Sequence, residues 1–537
     1  MRNILDLVLT AARHTPESSA IVFANTSLSY QDLATRASML GRGLVSIGIV
    51  PGSRVGIFLD KRIETVVSLL GAAAAQCVFV PINPLLKPQQ VAHILRDCGA
   101  SCLITSALRA RLLAENGLSG VPHTIVTDSI DVTEHASRGN DCVHSWSACV
   151  SAHAFDPLSD TGPIAETAID TDLAAILYTS GSTGLPKGVM LSHRNLLEGA
   201  WSVAHYLQHT RSDRILAALP LSFDAGLSQL TSAWAAGATV VLINYLSPQD
   251  VIDACMHERI TALTGVPPLW MQLTRASWPH AACTTLRYFA NTGGRLPVPT
   301  LHRLRTLFPQ AKPYLMYGLT EAFRSTYLDP SEVDRRPDSI GKAVPNARIL
   351  VVHPDGTPCA SGETGELVHV GACVTMGYWN DPARTAERYR PSPEPKAGGA
   401  IPDIAVWSGD LVRRDEKGFL YFIARNDAQI KSSGYRISPE EIEETVHRSE
   451  LVAEAVAVGV PDDALGEAIA LVVVPAVEPF VPQTLMAWCT QHLPGYMVPK
   501  RIVVQTDVPR NANGKFDRTA LRNALAQPIA QDQARSV

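Results

Sequence analysis

The chain has 537 residues, 46% hydrophobic and 18% charged, and 46 Lys and Arg against 51 Asp and Glu leave a net charge of −5. That length exceeds the roughly 250–300 residues at which one core stops growing, so two or more core-bearing units are expected; the apolar content excludes disorder. The small negative charge gives no electrostatic ground for binding nucleic acid or an anionic membrane, which points to small-molecule partners.

The ten Cys residues are scattered without the close pairs of a zinc site and are too sparse for a disulfide scaffold, so they read as reduced and mostly buried. Asp6 and the Arg13-His14 pair interrupt the N-terminal apolar residues, so no signal peptide is expected. Val66–Pro81, the longest apolar stretch, is broken by Gly71 and Gln76 and falls short of the ~20 residues of a membrane span. A cytoplasmic protein without an anchor is the expectation.

In chain order, Ile4–Arg13 and Tyr30–Ile47 carry helical periodicity and alternate with the β-rich runs Val55–Leu59 and Cys77–Val80. The alternation continues through Ser101–Ile104, Ala238–Ile243 and the helix signal Pro248–Glu258, with no fixed-period repeat. Such a pattern predicts an α/β fold with largely parallel sheets. Asp128–Ile169 is polar and turn-rich and reads as a surface crossing, and Pro391–Pro402 reads as an exposed loop. After Trp407–Arg425 the pattern restarts with a helix signal at Pro439–Glu443 and strand-like runs at Ala453–Val460 and Ala468–Val474, a small α+β unit. The tail after Leu525 lacks apolar periodicity and is expected to be mobile.

The most informative segment is Tyr178-Thr179-Ser180-Gly181-Ser182-Thr183-Gly184-Leu185-Pro186-Lys187-Gly188, directly after the apolar run Leu173–Leu177. Glycines let backbone N–H groups approach an anion, hydroxyls add donors and a lysine adds charge, so the composition suits a polyphosphate. The plain alternative is a flexible Ser/Gly surface loop. A Walker A loop is excluded, because Pro186 holds the place of the required glycine and Gly188 that of the required Ser or Thr.

This loop resembles that of the adenylate-forming superfamily of acyl-CoA synthetases, aryl-CoA ligases and peptide-synthetase adenylation domains. Further segments stand in that family's order: Met316–Glu321, Gly341–Pro345, Gly377-Tyr378-Trp379, Ser408-Gly409-Asp410, Arg425-Asn426-Asp427 and Asn513-Gly514-Lys515. The resemblance runs from Leu28 to Lys515 and implies a large N-terminal domain of βα subdomains with mixed sheets, residues 1–426. It also implies a small mobile α+β lid, 427–525, and a mobile tail, 526–537.

By that resemblance, Thr179, Ser180, Gly181, Ser182, Thr183, Gly184 and Lys187 would hold the β- and γ-phosphates of ATP, and Glu321 would hold Mg²⁺, which takes only one or two protein oxygens. Thr320 would contact the α-phosphate. Tyr317, beside Gly318, would stack on or beside adenine, against the plain reading of a core aromatic. Gly293, Gly294 and Arg295 would form the adenine-side loop, Asp410 would hold the ribose, and Arg425 would support the same ribose or the phosphate. Lys515 would cross the domain cleft and neutralise charge as the carboxylate attacks phosphorus. Asp427 would be the hinge, and Gly434 would line the tunnel for a phosphopantetheine thiol, although a glycine there also suits a hairpin turn. Ala424 departs from the Gly usual before the Arg.

Phe223-Asp224, in Pro220–Gly226, resembles the place where amino-acid-activating relatives pair an aspartate with the substrate ammonium. A buried carboxylate lacking a cationic partner would be costly, which makes an amino acid the favoured substrate and a carrier protein the favoured acceptor. The alternative for Asp224 is a helix cap. Leu319, where peptide-synthetase domains commonly have Pro, and the lack of a following carrier domain pull instead toward a free-standing aryl- or aliphatic acyl-CoA synthetase using coenzyme A. Thr320–Tyr327 also resembles a bacterial acyl-CoA-ligase-like group associated with exosortase systems. Asn291, with Val266 and Trp234, is a pocket candidate. A catalytically silent nucleotide-binding protein is disfavoured by the joint presence of Lys187, Glu321, Asp410 and Lys515.

Overall fold

Near-continuous apolar runs such as Val55–Phe58 and Val78–Val80 are what a strand buried on both faces requires, and parallel sheets flanked by helices provide that burial. In the computed structural model these runs become neighbouring parallel strands, Arg54–Phe58 and Val78–Pro81. The structure describes residues 1–117, 120–128, 142–150, 168–179, 186–394, 398, 402–425, 429–510 and 516–526. It divides into two compact units, one of Met1–Thr179 with Lys187–Ala424, the other of Ser180–Pro186 with Arg425–Val537.

Among the described residues the first unit contains three sheets. One of seven strands carries, in order, Cys142–Ser145, His123–Val126, Ala100–Thr105, Arg54–Phe58, Val78–Pro81, Leu173–Thr179 and Lys187–Ser192. A nine-stranded sheet has at its centre the parallel strands Lys312–Tyr317, Tyr288–Asn291, Ala262–Gly265, Arg214–Ala217 and Thr239–Leu242. Thr364–Gly371 and Ile404–Arg414 pair antiparallel in the third sheet. The helices Tyr30–Ser46, Ile63–Ala74 and Asp224–Ala236 contribute to the largest core cluster. Helix starts follow local chemistry: the Ser29 and Ser192 hydroxyls accept from the backbone N–H groups of Asp32 and Asn195, whose side chains reach back to close capping boxes.

The second unit is a smaller α+β body. Its long strands Val452–Asp462 and Gly466–Pro475 pair antiparallel, and Pro439–His447 is among the helices packed on them. The fold is thus mixed α/β, with a large N-terminal and a smaller C-terminal domain. The described part of Asp128–Ile169 is more regular than the expected surface crossing: Cys142–Ser145 forms a parallel edge strand and Trp146–Val150 a short helix. An edge strand open to solvent on one side need not show an apolar run, so the sequence pattern concealed it. The ten cysteines are free thiols, eight of them buried, with Cys142 exposed and Cys283 half-buried. Among the described residues no helix is long and apolar enough to cross a membrane.

Candidate active site

Ligands in open α/β sheets bind beyond the carboxyl ends of parallel strands. At that edge of the nine-stranded sheet, the strands ending at Ala217, Gly265, Asn291 and Tyr317 lead into Ala218–Phe223, Val266, Thr292–Arg295 and Gly318–Arg324. The parallel topology therefore gathers the candidates from four separate sequence segments.

Thr179 and Lys187 are cross-strand partners of an antiparallel pair, so the glycine-rich segment leaves and re-enters the sheet at one point. Ser180, Gly181, Ser182, Thr183 and Gly184 lie outside the described residues. The Thr179 hydroxyl is buried and has no hydrogen-bond partner among the described residues. Lys187 Nζ donates to the Tyr378 hydroxyl at 3.1 Å and lies 4.2 Å from its ring centroid. Tyr378 in turn donates to Glu321 Oε1 at 2.7 Å, and Nζ lies 3.8 Å from the same oxygen. Burial, reinforced by the Glu321 charge, pushes the Tyr378 phenol far above its ordinary range, so it stays a donor. Thr320 and Glu321 sit buried in a single 3₁₀ turn, and the Glu321 carbonyl accepts from the backbone N–H and hydroxyl of Thr375, each at 3.0 Å.

Tyr317 ends its strand buried, and its hydroxyl donates to the fully buried Asp410 carboxylate. Asp410 is held in turn by its own N–H, which donates to Ser408 Oγ at 3.0 Å. Asn291 is 2% exposed; its Nδ2 donates to the Gly294 carbonyl at 2.8 Å, while Oδ1 has no partner among the described residues. Gly293 has φ +73°, Arg295 is exposed, and a Cβ on Gly294 would lie 3.1 Å from Pro267. Gly318 runs beside the backbone of Phe323 and Arg324. Arg425 ends the strand Leu420–Arg425.

Asp224 opens the helix Asp224–Ala236; Phe223 is the N-cap residue and makes no side-chain cap bond, so Asp224 is not the cap. Gly226 is required there because a Cβ would fall 1.9 Å from the Pro220 carbonyl oxygen. The expectation that Asp224 lacks a protein cation is corrected: Arg324 Nη1 donates to Asp224 Oδ2 at 2.8 Å. Arg324 and Tyr378 are the two residues that sequence reasoning did not single out. Tyr378 lies within Gly377-Tyr378-Trp379 and Arg324 within Thr320–Tyr327, but only the tertiary contacts give them partners.

In the second unit, Gly434 follows Ser433 in a two-residue hairpin turn joining Ile430–Ser432 to Tyr435–Ile437. With φ of +54° and +82°, the pair has the positive angles of a type I′ turn. The hairpin use of Gly434 is therefore observed. Asp427 and Lys515 lie outside the described residues; Arg510 and Phe516, flanking Lys515, form an antiparallel bridge.

The AMP-binding enzyme family matches residues 8–379, and the AMP-binding enzyme C-terminal domain matches residues 441–515. Tyrocidine synthase 3 of Brevibacillus parabrevis is 31% identical over 97% of this chain, which spans only 8% of that protein's length. Feruloyl-CoA synthase of an Amycolatopsis species is 31% identical, with 95% of this chain and 96% of that protein covered. A double mutant of o-succinylbenzoate CoA synthetase from Bacillus subtilis superposes with a TM-score of 0.80 at 25% identity, covering 96% of this chain and 98% of that one. The chain belongs to the AMP-binding enzyme family and, with it, to the adenylate-forming superfamily.

Proposed function

We propose that this chain uses ATP to convert a carboxylic acid to its acyl-adenylate and then passes the acyl group to a phosphopantetheine thiol. The observation that carries this reading is the Lys187–Tyr378–Glu321 chain at the base of the glycine-rich segment, together with Tyr317 held on Asp410. In this reading Lys187, Thr179 and the loop after it bind the β- and γ-phosphates, Thr320 contacts the α-phosphate, and Asp410 with Arg425 takes the ribose. Glu321 offers a buried, hard carboxylate oxygen, a donor that fits Mg²⁺, which would neutralise phosphate charge there. A substrate carboxylate oxygen bonds to the α-phosphorus as the bond to the β-phosphate oxygen breaks, releasing pyrophosphate; the thiol then replaces AMP on the acyl carbon and its proton leaves to solvent. Residues 1–426 act as the core and 427–525 as the lid, with Asp427 as hinge, Lys515 assisting adenylation and Gly434 bordering the thiol path.

Two finer readings differ in acid and acceptor. Phe223-Asp224 and the likeness to tyrocidine synthase support an amino acid and a carrier protein. The likeness to feruloyl-CoA synthase and the Arg324–Asp224 pair support an aryl or aliphatic acid and coenzyme A, and the ion pair gives this second reading the stronger support.

Acid-dependent ATP–pyrophosphate exchange tests the chemistry. AMP is expected as the product, and Lys515→Ala should reduce exchange by at least about a hundredfold while ATP binding by calorimetry persists. Accumulation of ADP, or undiminished exchange in that variant, would contradict the assignment.

A further inference from the structure

The Asp224–Arg324 pair is built into the chain rather than left for a ligand to complete. Arg324 is 3% exposed, and its Nη1 donates both to Asp224 Oδ2 at 2.8 Å and to the Phe323 carbonyl at 2.9 Å. The backbone is bent to deliver it. Phe323 has φ +53° and ψ −55°, and the Arg324 N–H reaches the Ala322 carbonyl at 2.5 Å, the pattern of a γ-turn that L-residues rarely adopt. The Phe323 ring fills a notch on the helix His193–Tyr206, where a Cβ on Gly199 would lie 2.2 Å from the ring. Strain of this kind persists only where the surrounding packing holds it, and here its product is one guanidinium set against one carboxylate. Arg324 Nε is buried without an acceptor among the described residues, so the guanidinium is held through Nη1.

A substrate ammonium arriving at Asp224 would have to displace a partner already tethered and oriented, and would sit beside a guanidinium of its own charge where little water screens either. We propose that Arg324 is a specificity-determining residue: its guanidinium stands where a substrate ammonium would bind, so the chain selects carboxylic acids uncharged at the α-carbon and rejects α-amino acids. The proposal rests on the acyl-adenylate reading above, with the acyl group seated by Asp224.

Two non-hydrolysable adenylate analogues, acetyl-sulfamoyladenosine and glycyl-sulfamoyladenosine, differ only by the α-ammonium and are small enough for any acyl pocket. Calorimetry on the full chain should show the acetyl analogue binding at least about tenfold tighter. Arg324→Met, which frees Asp224, should close or invert that ratio, whereas Arg324→Lys should keep it. If the Met variant does not fold, Asp224→Asn combined with Arg324→Met leaves no buried charge and should bring the two analogues to near parity. Equal or tighter binding of the glycyl analogue by the unaltered chain, or an unchanged ratio in the Met or the double variant, overturns the proposal. Binding of neither analogue would instead overturn the adenylate reading beneath it.

Discussion

At the scale of single residues, the candidate site is organised by side chains that connect charges. Tyr378 accepts from Lys187 and donates to Glu321, so removing its hydroxyl takes one hydrogen bond from each of two charged groups. Bonds to charged groups contribute about 1.5–3 kcal/mol each. Tyr378→Phe is therefore expected to lower kcat/KM for ATP by about ten- to a hundredfold while the ring packing against Tyr389 is kept. Pyrophosphate exchange at varied ATP checks the first outcome, and a near-native melting temperature checks the second. The sequence showed Tyr378 only as part of Gly377-Tyr378-Trp379. Nothing at that spacing says that its hydroxyl lies between residues 57 and 191 positions away.

At the scale of elements, the segment leading to Asp224 is held by a lysine from another sheet. Lys61 follows the strand Arg54–Phe58, and its Nζ donates to the carbonyls of Ala217, Ala218 and Leu219 at 2.9, 2.7 and 3.3 Å. Asn244 adds reciprocal bonds to the Lys61 backbone at 3.1 and 2.7 Å. One ammonium thus ties the seven-stranded sheet to the carboxyl end of a central strand of the nine-stranded one. Lys61→Met should leave those carbonyls without their donor and loosen the approach to the helix Asp224–Ala236. The expected outcome is a KM for the acid raised about tenfold with KM for ATP little changed, and a lower melting temperature, read by steady-state kinetics and calorimetry. The strands and helices themselves were largely legible, because period-2 and period-3.6 patterns are local. The clamp was not, since a lone Lys between an apolar strand and a helix reads as a solvated charge.

At the scale of the whole molecule, stability is tied to pH through buried imidazoles. His193 is 3% exposed and His369 fully buried, and burial draws each pKa down to about 4. The Ile4 N–H lies 3.4 Å from His193 Nδ1, and His369 Nδ1 lies 3.0 Å from the Ser325 hydroxyl. Unfolded histidines bind protons near pH 6.5, so between about 6.5 and 4 the unfolded chain holds more protons than the folded one, and stability falls as pH falls. Melting temperatures measured across that window should drop on acidification, and His369→Gln should flatten the slope. By itself the sequence determined the family, the α/β class and the ordered ATP motifs, because these depend on residue types at short spacing along one chain. Tertiary structure alone decided which charges meet. It paired Asp224 with Arg324, 100 residues away, turned an expected site for a substrate ammonium into an internal ion pair, and set Tyr378 between Lys187 and Glu321. A charge's partner is chosen by which strand ends and turns converge in space, and that convergence leaves no periodic trace in the sequence.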